Sequence, residues 1–209
     1  MIPIIDMSYH MQSTDSESFY FAIGLAVLIA ERSAFGRRIL ALDNNPVWIN
    51  LENTKSFVSI IEAVQDSIKS QNNTSVSIDA GINLIFKAVL YTNQKAHFIK
   101  NLKLVFFSND FGNYDIINYT KKSFKCLKLP SPQIILWNLS KDNIHDLPEN
   151  FSYDTVLFLS GFSNSLIRLL TQLHPDSVEE KYNSFSFINE VLNDSRYNIL
   201  TEYMSQLIK

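Results

Sequence analysis

Apolar positions along the chain fall into two patterns that alternate: short unbroken runs, and longer stretches with helical spacing. Runs over residues 2–5, 103–107, 134–139 and 155–159 predict buried strands. Residues 38–42 and 47–51, separated by Asn44-Asn45-Pro46, predict a strand pair joined by a turn. A helix is expected from a cap at Thr14 or Asp15 to about residue 33, with Asp15 and Glu17 in its first turn, where the helix dipole favours acids. Its small residues Ala22, Gly24 and Ala26 would let it lie close to a sheet. Phe57, Ile60, Ile61, Val64 and Ile68 keep helical spacing up to a polar loop at 70–75, and residues 79–91 predict a further helix. Residues 114–127 read as an amphipathic helix ended by Pro130 and Pro132, a helix at 164–173 follows Gly161, and the tail from 177 on is helical in pattern.

Strands joined by single helical crossovers require a mostly parallel sheet with helices on both faces, and the 38–51 pair supplies one antiparallel edge strand. The expected architecture is a doubly wound α/β domain over residues 1–176, with a C-terminal helical extension at 177–209 packed on the same domain. In such sheets ligands bind outside the carboxyl ends of the strands, near the point where strand order reverses. That rule selects residues 6–10, 74–79 and 108–110.

Composition narrows the function classes. With 209 residues, 46% hydrophobic and 19% charged, the chain can bury a core as one domain. Lys+Arg 18 against Asp+Glu 21 gives a net charge of -3, which removes the general electrostatic reason to expect nucleic-acid binding. The longest apolar run, residues 19–30, is shorter than the roughly 20 residues of a membrane span and reads as a buried helix. The N-terminus has neither a basic start nor a cleavage-site pattern, so no secretory signal is expected. A lone Cys126 cannot form an internal disulfide, and the expectation is a soluble, cytoplasmic protein in which the Asn72 and Asn138 glycosylation matches are incidental. Gly is scarce, at 5, which excludes a glycine-rich phosphate loop. The Asn-, Ile-, Lys- and Ser-heavy usage suggests an AT-rich genome such as that of a large virus or parasite.

The segment Asp6-Met7-Ser8-Tyr9-His10 puts oxygen-bearing side chains at alternate positions directly after the first strand. A hard cation such as Mg2+ takes carboxylate, hydroxyl and water oxygens in octahedral geometry, which Asp6 and Ser8 suit. The alternative is local: Asp6 caps the following turn and Ser8 bonds nearby backbone.

Five stretches carry a family resemblance: Ile4-Ile5-Asp6-Met7-Ser8, Val105-Phe106-Phe107-Ser108-Asn109, the segment 132–139 with Trp137-Asn138, Leu159-Ser160-Gly161-Phe162-Ser163, and Arg196-Tyr197. In order and spacing they resemble the von Willebrand factor A-like domain of a family of unknown function related to the Ro ribonucleoprotein. The resemblance implies a metal-ion-dependent adhesion site of the pattern Asp-X-Ser-X-Ser, with Asp6 and Ser8 as its first ligands and His10 in place of the last Ser. Its second-loop hydroxyl falls on Ser77, with Thr74 as the alternative, and its fourth-strand Asp falls on Asn109, next to Asp110. An imidazole crowds a Mg2+ octahedron and suits softer ions, and Asn109 removes a charge. The expectation is therefore a degenerate site that holds Mg2+ or another divalent cation only as the lesser alternative to none. The helical region that precedes the A domain in Ro-like proteins is not expected here, since the first strand starts at residue 2.

Competing readings are weaker. Asp6, Ser8 and His10 lie in one tight loop, whereas a nucleophilic triad is assembled from separate elements. A haloacid-dehalogenase-like phosphohydrolase using Asp6 is the alternative function, but Ser8 stands where its general acid is required. Lys121, Lys122, Lys125 and Lys128 read as the solvated side of a helix, and any RNA association would be indirect. His97, His145 and His174 lack ligand spacing, Trp48 and Trp137 read as core or rim aromatics, and Cys126 reads as a packing residue. The overall expectation is a non-enzymatic module that binds a protein partner, away from membranes and with its oligomeric state open.

Overall fold

The computed structural model describes residues 1–13, 16–67, 76–91, 99, 101–111, 115–140 and 156–161. Strand β1 (Ile2–Asp6) leads through α1 (Tyr9–Ser13) and α2 (Ser16–Ala30) into β2 (Arg38–Leu42), which turns back into β3 (Val47–Asn50). Helices α3 (Phe57–Ser67) and α4 (Ile78–Tyr91) precede β4 (Lys103–Ser108). Helix α5 (Asp115–Cys126) connects β4 to β5 (Gln133–Asn138), and β6 (Val156–Ser160) follows. The described strands make one six-stranded sheet of order β3-β2-β1-β4-β5-β6, parallel throughout except for the β2–β3 pair. This is the mostly parallel α/β sheet with one antiparallel edge strand that the hydrophobic runs predict.

Central strands are apolar on both faces because both are covered. On one face Ile2, Ile4, Leu40, Leu42, Leu104, Phe106, Ile134 and Leu136 pack with Ile82, Ile85, Phe86 and Val89 of α4 and with Ile117 and Phe124 of α5. The alternate residues Ile5, Ile39, Ala41, Val105, Phe107, Ile135 and Trp137 are equally buried, and α2 packs along β1 and β2. Helix α3 lies near α2, where the Gln65 side-chain amide donates to the Tyr20 hydroxyl at 3.4 Å. Strand order reverses between β1 and β4: α2 carries the chain to one side of that pair and α5 to the other. The carboxyl ends of β1 and β4 therefore flank the crevice such sheets use for ligands.

Several local expectations change. The helix expected to begin near residue 15 is preceded by the separate short helix α1, which covers Tyr9 to Ser13; Thr14 and Asp15 lie outside the described residues. Ala22 and Ala26 are fully buried, but a Cβ at Gly24 would meet nothing within 4 Å, so close approach to the sheet does not require glycine there. The position where it does is Gly81, whose added Cβ would fall 2.5 Å from Leu42 Cδ1. Cys126 is exposed, because the buried stripe of α5 runs through Ile117 and Phe124 and leaves the helix end in solvent; it is not a packing residue. Lys122, Lys125 and Lys128 are exposed, as a solvated face requires. The chain divides after residue 162 into two units, Met1–Phe162 and Ser163–Lys209; the expected C-terminal extension, the 164–173 helix, Arg196-Tyr197, His97, His145 and His174 lie outside the described residues.

Phe124 is fully buried and its ring sits 4.6 Å from that of Phe86, so it joins α5 to α4. Phe124→Ala should cost about 3–5 kcal/mol in urea unfolding, whereas Leu127→Ala, at a position 49% exposed, should change stability by less than about 0.5 kcal/mol. Equal effects would show that α5 does not seal the core.

Candidate functional site

The register that pairs Ile5 with Phe107 brings the next residues, Asp6 and Ser108, side by side at the carboxyl edge. The Ser108 hydroxyl donates to Asp6 Oδ2 at 2.6 Å, and the Ser8 backbone N–H donates to Asp6 Oδ1 at 2.8 Å. Ser108 Oγ also accepts the Asp110 N–H at 3.1 Å and lies 2.8 Å from the Asp110 carbonyl. One hydroxyl proton serves one acceptor at a time, and the shorter, charge-assisted contact to Asp6 takes it.

Ser8 is tied into its own loop. Its Oγ accepts the Met11 N–H at 3.4 Å and its carbonyl accepts the Gln12 N–H at 3.3 Å, which caps the start of α1. His10 is exposed within α1, and its carbonyl accepts the Asn109 side-chain amide at 3.3 Å. Asn109 is 8% exposed, and its Oδ1 is buried without a hydrogen-bond partner. Such a group costs about 1–3 kcal/mol unless a water or ligand serves it.

Ser77 caps α4: its carbonyl accepts the Gly81 N–H at 3.1 Å and its own N–H donates to the Asp43 carbonyl at 3.0 Å. Its neighbours Val76 and Ile78 line a pocket of about 210 Å³ together with Asp6, Ser108, Asp110, Leu42, Phe106, Phe107, Phe111 and Ile116. Thr74 lies outside the described residues. The structure thus gathers Asp6 and Asp110 at one pocket, puts Ser8 beside Asp6 and Asn109 against α1, and leaves Ser77 outside the lining.

Sequence reasoning leaves out two residues at this edge. Ser108 was within a selected strand end but carried no role; only the β1–β4 register reveals it as the donor to Asp6. Asp43, buried just beyond β2, accepts the Asn44 N–H at 2.8 Å and fixes the entry to α4 through its carbonyl. The parallel pairing of β1 with β2 was the available signal, since it puts the residue after β2 at the same edge.

Electrostatically the edge is acidic. Burial pushes the Asp6 carboxyl above the ordinary carboxylate range, the Ser108 and Ser8 hydrogen bonds pull it partly back, and the Asp110 charge adds to the rise. Among the described residues, no basic side chain lines the pocket.

Asp6, Ser8 and Asn109 are positions where the resemblance implies Mg2+ ligands. Both Asp6 oxygens already accept protein hydrogen bonds, Ser8 Oγ is engaged by the α1 backbone, and Asn109 is neutral. Of these three positions Asp6 alone can carry a charge, since Asn109 is a neutral amide bound to the His10 carbonyl, and that makes the set a poor match for the oxygen-rich, charged cage that Mg2+ takes.

Residues 1–198 match DUF7788, a domain of unknown function. The chain belongs to this family. Uncharacterized protein L728 of Acanthamoeba polyphaga mimivirus is 21% identical over 197 residues, which is 90% of this chain and 32% of the viral protein. The chain thus spans about a third of that relative's length. Among solved structures, proximal thread matrix protein 1 from the mussel byssus aligns over 84% of this chain and 46% of its own with TM-score 0.50 at 15% identity, a likeness of fold. The SpRpn10 VWA domain aligns over 82% of this chain and 93% of its own with TM-score 0.41 at 14% identity. The architecture of the described residues is the mostly parallel α/β sheet with a single antiparallel edge strand and helices on both faces.

A carboxyl raised by folding holds its proton more tightly in the folded than in the unfolded chain. Folding bears no ionisation cost at Asp6 below the ordinary value of 3.8, and that freedom is lost as pH rises through the raised folded value. Asp6→Asn keeps an acceptor for Ser8 and can donate to Ser108 Oγ, freeing the Ser108 proton for the Asp110 carbonyl. The variant should therefore gain stability relative to the parent as pH rises from about 4 to 7, measured by urea unfolding at both values. A difference independent of pH would refute the shift.

Proposed function

We propose that this DUF7788 domain is a non-enzymatic protein-interaction module whose binding surface is the crevice at the carboxyl ends of β1 and β4, a degenerate descendant of a metal-ion-dependent adhesion site. The observation that carries the reading is the pocket itself: Asp6 and Asp110 stand on apolar walls with no basic residue among the described residues of the lining. A partner side chain with a hydrogen-bond donor or cation at its tip and an apolar stem matches both features. The motif resemblance to Ro-related proteins supports the same ancestry for Asp6, Ser8 and Asn109.

The proposed surface needs no resident cation: Asp6 accepts hydrogen bonds from Ser8 and Ser108, and its carboxylate keeps lone pairs that a partner's donor can meet directly. The same hydrogen bonds disfavour a hydrolase, in which Asp6 would have to attack as a free, ionised nucleophile. The exposed free thiol of Cys126 suits a reducing compartment such as the cytoplasm. No helix among the described residues is long and apolar enough to cross a membrane.

Calorimetric titration with Mg2+, Mn2+ and Zn2+ tests the absence of a resident cation, with Asp6→Ala as control. The expected result is no saturable heat from either protein; binding that Asp6→Ala abolishes would instead establish a working adhesion site. Hydrolysis of p-nitrophenyl phosphate lost in the same variant would establish the phosphohydrolase.

A further inference from the structure

We propose that the β3 edge of the sheet carries a second binding site, for an acidic peptide segment of a partner protein. A groove of about 430 Å³ lies between this edge and α4, with Arg38, Trp48 and Asn50 on the sheet side and Leu84, Lys87 and Tyr91 among its helix residues. Arg38 opens β2, and the β1–β2 register sets that position beside the start of β1, so the groove is at the amino end of the sheet. It is separate from the carboxylate crevice.

Two observations define the occupant. First, Arg38 and Lys87 are both exposed, and among the described residues neither is in an ion pair and no acid lines the groove. Two like charges facing one half-buried aromatic wall favour an anion between them. Second, among the described residues β3 pairs with β2 alone, which leaves its outer edge able to accept another strand. The register ties the two together. Trp48 and Asn50 are two apart and share a face, and Arg38 is directly opposite Asn50. A strand laid along β3 would set one side chain over Trp48 and the one two residues away over Asn50 and Arg38. An apolar residue followed at that spacing by Asp or Glu matches the groove, with Lys87 reaching the carboxylate from α4.

Tryptophan emission reads the groove directly, because the chain has 2 Trp and Trp137 is fully buried. The probe is a capped peptide of repeating Phe-Thr-Glu-Thr, compared with the same peptide carrying Lys for Glu. The Glu peptide should shift the emission saturably, more weakly as salt rises, and Trp48→Phe should lose the signal. Arg38→Glu with Lys87→Glu, both at exposed positions, should weaken the Glu peptide by about tenfold or more and favour the Lys peptide. Backbone N-methylation of the peptide should also abolish binding. Equal affinity for both peptides, an unaffected double variant, or survival of N-methylation would overturn the proposal. A shift with ATP but with neither peptide would make the groove a small-anion site and overturn it as well.

Discussion

The parallel pairing of β1 with β4 is the constraint on which the rest of the structure depends. It joins two strands that are buried on both faces, so each must be apolar at nearly every position and neither can slip without exposing a run of Ile, Leu or Phe. It also sits where the strand order reverses. A shift of register by one residue would separate Asp6 from Ser108 and dismantle the crevice along with the core. Core and site are consequences of the same alignment.

Polar groups at the ends of these strands illustrate how a protein manages atoms it cannot leave unpaired. Trp137 is fully buried, packs 5.4 Å from the Phe107 ring, and gives its indole N–H to the Gly161 carbonyl at 2.9 Å. Gly161 takes φ of 92° to turn there, a conformation that a Cβ would strain, and its own N–H closes on the Asn138 carbonyl. Ser18, inside α2, donates to the Leu139 carbonyl at 2.8 Å and so ties that helix to the chain beyond β5. Against this background Asn109 Oδ1 stands out among the described residues as the buried side-chain oxygen that nothing in the fold serves.

Legibility in the sequence followed burial. Strands β1, β4 and β5 were plain because two-sided burial leaves an unbroken apolar run. The β2–β3 pair was marked by its Asn-Asn-Pro turn. Helix α1 was missed because its five residues are too few to show a period, and its cap, Ser8, was read first as a ligand. Cys126 misled because amphipathic spacing does not say where a helix leaves the core. The Asp6 half of the crevice was legible as a motif at a strand end. Its Ser108 half was not, since a serine after an apolar run is ordinary and only the pairing of strands distant in sequence makes it the partner of a carboxylate.

The Asp6-X-Ser8 pattern has a structural use that needs no metal. Asp6 holds the Ser8 amide, Ser8 caps α1, and the chain can leave the sheet and enter a helix within three residues. Local capping of this kind accounts for Ser8 completely. It does not account for Asp6, because one amide and one hydroxyl do not repay the burial of a carboxylate that a second carboxylate also opposes. An Asn would make both local bonds at lower cost. The charge at residue 6 is thus the feature left over once folding has been explained, and it is the reason to look for the partner of this domain at the β1–β4 edge.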